Sequence, residues 1–247
     1  IFEIKEVLMK RNKKILLIIL LLILSVVGIS FFVYKYKTRS YKNLQNNIEK
    51  INIDGYDNLM IVAHPDDEML WGGSHLIDEN YLVVCITCGK RSDRAEEFIN
   101  VMNETKDQYL MLNYPDKTNG KRDNWDKYYK EIEKDLRKII SYKNWNLIVT
   151  HNPDGEYGHN HHIMTSKITT DMVNLENKNN KLMYFGKYYK KDNVPKMDKI
   201  SEENYKKKMD VILPLYVSQK STTELFSHMM YHENWVTLKE WNEVYAK

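Results

Sequence analysis

The chain has 247 residues, 43% of them hydrophobic and 29% charged, enough for one sizeable core and a short accessory segment. Its formal charge of +3 hides an asymmetry: residues 1–42 hold nine Lys/Arg against Glu3 and Glu6, a balance of +7, so the other 205 residues sum to −4. A basic flank on an acidic body gives no support to a nucleic-acid partner, and none is expected.

Residues 1–14 are that basic flank. Residues 15–34, "ILLIILLLILSVVGISFFVY", carry no charge and are apolar on every face. Twenty helical residues rise about 30 Å, the thickness of a bilayer's hydrocarbon core. The exit "GISFFVYKYK" is bulky where a cleaved signal peptide has small residues, so an uncleaved single-pass anchor is expected. Four basic residues precede the span and four follow it, so the positive-inside comparison does not orient it. A single N-terminal anchor most often keeps its N-terminus in the cytoplasm, which places the remainder outside.

Residues 35–57 are polar and Asn-rich and read as a linker. From residue 58 to 247 one domain is expected. "NLMIVA" (58–63), "YLVVCIT" (81–87) and "WNLIVT" (145–150) read as strands. Between them, helical spacing predicts a helix behind residue 68, one through "SDRAEEFINVMNETKDQYLMLN" and one over 124–141. Another follows residue 160. Strands alternating with helices, without polar alternation inside the strands, imply an α/β fold, Rossmann-like, with a mainly parallel sheet covered on both faces. "KLMYFGKYY" is a candidate further strand, and residues 201–241 read as mostly helical, broken at Pro214. Cys85 and Cys88 lie within a strand and at its end, where i and i+3 side chains face opposite ways, so they read as small core residues.

Two clusters of histidines and acids follow equivalent strands. "HPDDE" (64–68) ends the first, and "HNPDGEYGHNHH" (151–162) ends the strand at 145–150. Ligands in open α/β sheets bind beyond the carboxyl ends of the strands, so both clusters are expected on one rim. Packed acids repel one another, and a divalent cation between the clusters resolves the repulsion. His and carboxylate ligands suit Zn²⁺, with Fe²⁺ or Mn²⁺ as alternatives. Spacing puts His159 and His162 on one helical face and turns His161 elsewhere. One His and one Asp from the first cluster, with one His from the second, make a three-ligand site that leaves Asp66 free to act on water.

"AHPDDE" followed by "GEYGHNHH" resembles the PIG-L, or LmbE-like, family of N-acetylglucosaminylphosphatidylinositol de-N-acetylases, over about residues 58–172. A fainter likeness reaches "YVSQ" (216–219). The resemblance implies a zinc hydrolase that removes acetyl from an N-acetylated amino-sugar conjugate. Carried over, His64, Asp67 and His162 are the metal ligands and Asp66 the general base. His159 stabilises the oxyanion, as a protonated ring, or serves as acid. Arg94 matches an arginine used near substrate, with Arg91 as a competitor for that role. "HNHH" departs from the common His-Pro-Asp-His, and Asn160 and His161 are expected to face away from the metal. Glu68 is expected to orient a ligand or a loop amide. His151 is expected either to touch substrate or to make a structural hydrogen bond, and Asp154 and Glu156 read by default as solvated loop charges.

Three functions compete at this stage. A tethered de-N-acetylase acting on a glycan or glycolipid fits the anchor best, because tethering raises the local concentration of a surface substrate. A deacetylase of a small soluble thiol-sugar precursor needs no tether. A catalytically silent sugar-binding module would not need every chemical position filled, as it is here. The aglycone and the oligomeric state are not legible in the sequence.

Overall fold

A computed structural model describes residues 2–37, 45–90 and 92–245. Arg91 and residues 38–44 of the expected linker lie outside them. The chain forms two units, residues 1–40 and 41–247.

The first unit is helix α1 (Phe2–Lys37). Its stretch Asn12–Phe31 has a mean hydropathy of 2.8 and is long and apolar enough to cross a membrane. Among the described residues it is the one such helix.

The second unit is an α/β fold built on strands β1 (Asn58–Val62), β2 (Tyr81–Thr87), β3 (Gln108–Tyr114), β6 (Leu147–Thr150), β7 (Leu182–Tyr184) and β8 (Val236–Thr237). A separate hairpin pairs β4 (Lys117–Thr118) with β5 (Lys121–Arg122). The sheet order is β3-β2-β1-β6-β7-β8, parallel throughout except for the antiparallel β7–β8 edge. Buried strands divide by parity into two cores. Leu59, Ile61, Leu82, Val84 and Ile148 join one core, while Met60, Val62, Val83, Cys85 and Val149 join the other. Side chains alternate across a pleated sheet, so this division is what a sheet covered on both faces requires.

Helices α4 (Tyr129–Ser141) and α6 (Asn160–Leu175) cover the first face through Ile132, Leu136, Ile168 and Val173. Helices α2 (Asp67–Asp78) and α3 (Ser92–Thr105) cover the second through Met69, Leu76, Phe98 and Met102. A four-residue turn of helix, α5 (Gly155–Gly158), precedes α6. Part of the stretch expected as linker also joins the first core, with Ile48, Ile51 and Ile53 buried in it. Cys85 and Cys88 are buried and form no disulfide.

Three elements differ from the sequence reading. The helix expected to run through Tyr109 stops at Thr105, and Gln108–Tyr114 is strand β3. Lys106 takes φ 68, and the Asp107 amide reaches back 2.9 Å to the Met102 carbonyl. This is a Schellman-type closure made without the usual glycine, so nothing in the composition marked it. The C-terminal segment is less regular than expected: Glu202–Lys207 and Lys220–Leu225 are short helices joined by a π-helical turn, Lys208–Ile212, and two 3₁₀ turns. That segment clamps α2. Trp235 Nε1 donates to the Trp71 carbonyl at 2.8 Å and Lys208 Nζ to the Leu70 carbonyl at 3.2 Å. The Glu233 carboxylate accepts from the Ser74 amide at 2.9 Å. Gly72 leaves room for this approach, since a Cβ there would lie 2.9 Å from Trp235.

Strand order reverses between β1 and β6, the point at which an open α/β sheet parts its loops to admit a ligand. The "HPDDE" and "GEYGHNHH" segments leave the sheet there.

Candidate active site

Asp66 precedes α2 with φ 108, in the left-handed region that non-glycine residues seldom occupy. That turn folds the loop back on itself, and the His64 amide donates to Asp67 Oδ2 at 2.8 Å. His162 arrives on the first turn of α6, which His159 caps by accepting the His161 amide at its Nδ1, 3.2 Å away. Gly155, at φ +63, lies against the start of α6, and a Cβ there would sit 2.7 Å from Ile163.

The result is a triangle of three donor groups, in which each ring nitrogen faces a different oxygen of Asp67. His64 Nδ1 is 3.2 Å from Asp67 Oδ2, His162 Nε2 is 3.2 Å from Asp67 Oδ1, and the two ring nitrogens are 3.3 Å apart. All three residues are buried. A tetrahedral ion with bonds of about 2.0–2.2 Å spaces its donors by roughly 3.3 Å. The protonation pattern agrees with the spacing. Glu156 Oε2 lies 2.6 Å from His162 Nδ1, so that nitrogen is held by a carboxylate and Nε2 is the ring atom left to meet a cation. Two ring nitrogens and a buried carboxylate converging in a dry site are a donor set that a cation can bridge. The residues present therefore fit a divalent metal.

The electrostatics sort the carboxylates. Burial alone would raise the Asp67 pKa, but His162 and His151 hold it well below the ordinary carboxylate range. Burial, reinforced by the charge of Asp67, pushes Asp66 up to about 7. Burial likewise pushes Glu68 up to about 8. Tyr216 donates its hydroxyl to Glu68 Oε1, and Glu68 Oε2 accepts the Asp66 amide at 3.2 Å, so Glu68 links the "HPDDE" loop to the C-terminal segment. Burial and the neighbouring His162 and His64 drive the His159 pKa down to about 2. These surroundings favour a neutral His159 ring. Because Nδ1 accepts from the backbone, the ring hydrogen sits on Nε2.

Arg94 is buried, with NH2 2.6 Å from the Pro65 carbonyl and 3.4 Å from Asp66 Oδ1. It braces the "HPDDE" loop through NH2, while its buried Nε has no hydrogen-bond partner. His151 does not face a substrate. It is fully buried, its Nε2 accepts the Ala63 amide at 3.0 Å, and its Nδ1 donates to Glu156 at 2.9 Å. Of the two roles expected for His151, the structural hydrogen bond is the one its surroundings allow.

Three residues escaped the sequence reading. Glu156, expected as a solvated charge, is buried and binds His151, His162 and the Asn152 amide. Its pKa falls to about 2 despite burial, because His151 and His162 hold the charge. His161, expected to point away, places Nδ1 3.0 Å from His64 Nε2. Asn160 is exposed, as expected. Tyr157 is 42% exposed and turns its ring edge to His159 and His162, at 5.8 and 5.5 Å between centroids. Positive φ at Glu156 and Gly158, on either side of Tyr157, shapes that turn. The one available signal for Glu156 was its place in the "GEYGHNHH" element that also holds His162.

Residues 59–173 match the family model described as PIG-L: GlcNAc-PI de-N-acetylase. They form a PIG-L domain. Both halves of the donor triangle lie inside it. A protein of Acanthamoeba polyphaga mimivirus, described as uncharacterised, is 36% identical over 133 residues. That match covers 47% of this chain and 57% of the viral protein, so the chain spans little more than half of that relative. Two solved structures share the fold at 16% identity and a TM-score of 0.54. One is a deacetylase of the A40926 pseudoaglycone, with 71% of this chain and 89% of that one covered. The other is a deacetylase from the teicoplanin biosynthesis pathway, with 70% and 90% covered. In both, the likeness extends beyond the matched PIG-L residues.

Proposed function

We propose that this chain is a metal-dependent N-deacetylase that removes the acetyl group from an N-acetylglucosamine unit of a glycan or glycolipid. The observation that carries the reading is the His64–Asp67–His162 triangle with Asp66 beside it, its carboxyl poised at about 7. A divalent cation held by these three residues, with zinc the best fit to two imidazoles and a carboxylate, supplies Lewis-acid polarisation and lowers the pKa of water. Asp66 accepts the proton as water adds to the acetamide carbon. Neutral His159 donates its Nε2–H to the oxygen on which charge develops. The C–N bond then breaks as Asp66 returns its proton to the departing nitrogen, and the acetic acid formed passes its own proton to the free amine, which leaves acetate and an ammonium group.

Exposed Tyr157 beside the two histidines is suited to pack against a sugar ring. The PIG-L domain with its C-terminal clamp, residues 58–247, is the catalytic unit. Residues 15–34 anchor it, with the catalytic unit placed outside the cytoplasm, and the anchor favours a substrate that is itself held at the membrane or wall over a soluble one.

The test is acetate release by the zinc-loaded full chain in detergent from GlcNAc, a GlcNAc-inositol lipid and GlcNAc oligomers. Release from the lipid or the oligomers is expected. No acetate from any of the three would overturn the reading.

A further inference from the structure

The loop after β3 reaches under the metal site from a part of the chain that supplies none of its three donor groups. The Asp123 carbonyl oxygen lies 2.5 Å from His161 Nε2. A carbonyl accepts and cannot donate, so Nε2 of that ring carries the hydrogen. The neutral ring then offers a lone pair at Nδ1, 3.0 Å from His64 Nε2. His64 must donate there, so its hydrogen belongs on Nε2 and its Nδ1, directed at Asp67 and His162, is the atom left for a cation. Asp116 Oδ1, at 3.6 Å from the same His64 nitrogen, is a second and more distant acceptor that favours the same hydrogen on Nε2.

The bracket behind His161 is built. The Trp125 indole lies flat on the ring, with centroids 4.0 Å apart and planes 6° apart. Trp125 is fully buried, and its Nε1 donates to the Pro115 carbonyl at 2.8 Å. Its amide donates to Asp123 Oδ1 at 2.8 Å, and the Asp123 amide donates to the Asp116 carbonyl at 2.9 Å. Glu156 holds His162 through a carboxylate. The corresponding task at His64 falls to an imidazole whose tautomer is set by a backbone carbonyl.

We propose that His161 is a positioning residue for the metal site, fixing His64 as the tautomer that presents bare Nδ1 to the cation. The proposal rests on reading the triangle as a metal site but does not depend on the substrate. It also gives the third position of "HNHH" a task that the sequence spacing had denied it.

Two measurements on the full chain test it. In zinc-loaded protein labelled with ¹⁵N-histidine, long-range ¹H–¹⁵N spectra should show hydrogen on Nε2 of both His64 and His161. Hydrogen on His161 Nδ1 would overturn the proposal without any variant. For affinity, zinc competition with a chromophoric chelator compares the parent with His161→Phe and His161→Asn. Phe keeps a flat ring against Trp125 but removes both nitrogens, and a loss of about 10- to 100-fold is expected. Asn returns an acceptor near the position of Nδ1 and should recover most of that loss. A Phe variant as tight as the parent, or Phe and Asn variants equally weak, would sink the idea. Tight zinc binding with the expected tautomers but no acetate release would refute the proposed function and leave this inference standing.

Discussion

Glu156 Oε2 sits 2.6 Å from His162 Nδ1 and 2.9 Å from His151 Nδ1, so one carboxylate oxygen holds two buried rings. Only His162 reaches the donor triangle, but the shared oxygen fixes both against the end of β6. Replacing Glu156 by Gln keeps the shape, removes the charge and offers one weaker acceptor. Metal affinity should fall by about 10- to 100-fold, the usual cost of losing the carboxylate behind a ligating histidine. Isothermal titration with zinc measures this, and an unchanged affinity would remove Glu156 from the site.

Asp66 separates binding from chemistry. Asp66→Asn leaves the three ligands in place, so zinc content by elemental analysis should stay near one per chain. Turnover should drop by about 10²- to 10⁴-fold, the usual contribution of a positioned base. In the proposed reaction the working form is the carboxylate, and its pKa is raised to about 7. Activity should therefore rise with pH up to about 7 and fall as Asp66 is protonated below it. A rate that is flat from pH 5 to 8 would mean that another group takes the proton.

The strands and the two clusters were legible because their signals are local. β2 was read over its full length from an unbroken apolar run, and the 58–63 and 145–150 runs shortened by only one or two residues. The two clusters could be paired because strands of the same sense deliver their loops to one rim, and the family resemblance singled out His64, Asp67 and His162 within them. What the sequence hid depends on tertiary contact. β3 was lost because Lys106, not glycine, takes the left-handed position that ends α3. Glu156 looked solvated because nothing in "DGEYG" shows that α6 and β6 close over it. His161 looked idle because helical spacing counts faces of one helix, and its partners Asp123 and Trp125 come from another loop. The clamp on α2 spans more than a hundred residues of chain and has no local trace at all.

Lys208 and Glu233 form that clamp's ion pair at 2.6 Å, with both side chains fully buried. Glu233 also accepts the Ser74 amide, and Lys208 also donates to the Leu70 carbonyl. Lys208→Met strands a buried carboxylate, and a loss of about 3–5 kcal/mol is expected. Lys208→Met combined with Glu233→Gln removes both charges and should recover part of it. Denaturant unfolding of the parent, the single and the double variant gives the comparison. A double variant less stable than Lys208→Met would show that the carboxylate stabilises the fold even without its lysine.

Asp107 offers a pH test away from the metal site. Burial pushes its pKa up to about 7, against the opposing hydrogen bonds from Thr105 and the Tyr81 amide. Between about pH 4 and 7 the folded chain therefore holds a proton that the unfolded chain has released. Stability falls as pH rises through a window in which the folded state binds more protons, and the loss is complete once Asp107 ionises in the folded state. Asp107→Asn keeps an acceptor for the Tyr81 amide, 2.8 Å from Asp107 Oδ1, but cannot ionise. The melting temperature of the Asn variant minus that of the parent should therefore grow more positive from pH 5 to pH 8. Taking the difference cancels the titration of the site carboxylates, which both proteins share. A constant difference across that range would mean that Asp107 is charged throughout and that its surroundings stabilise the carboxylate better than its burial implies.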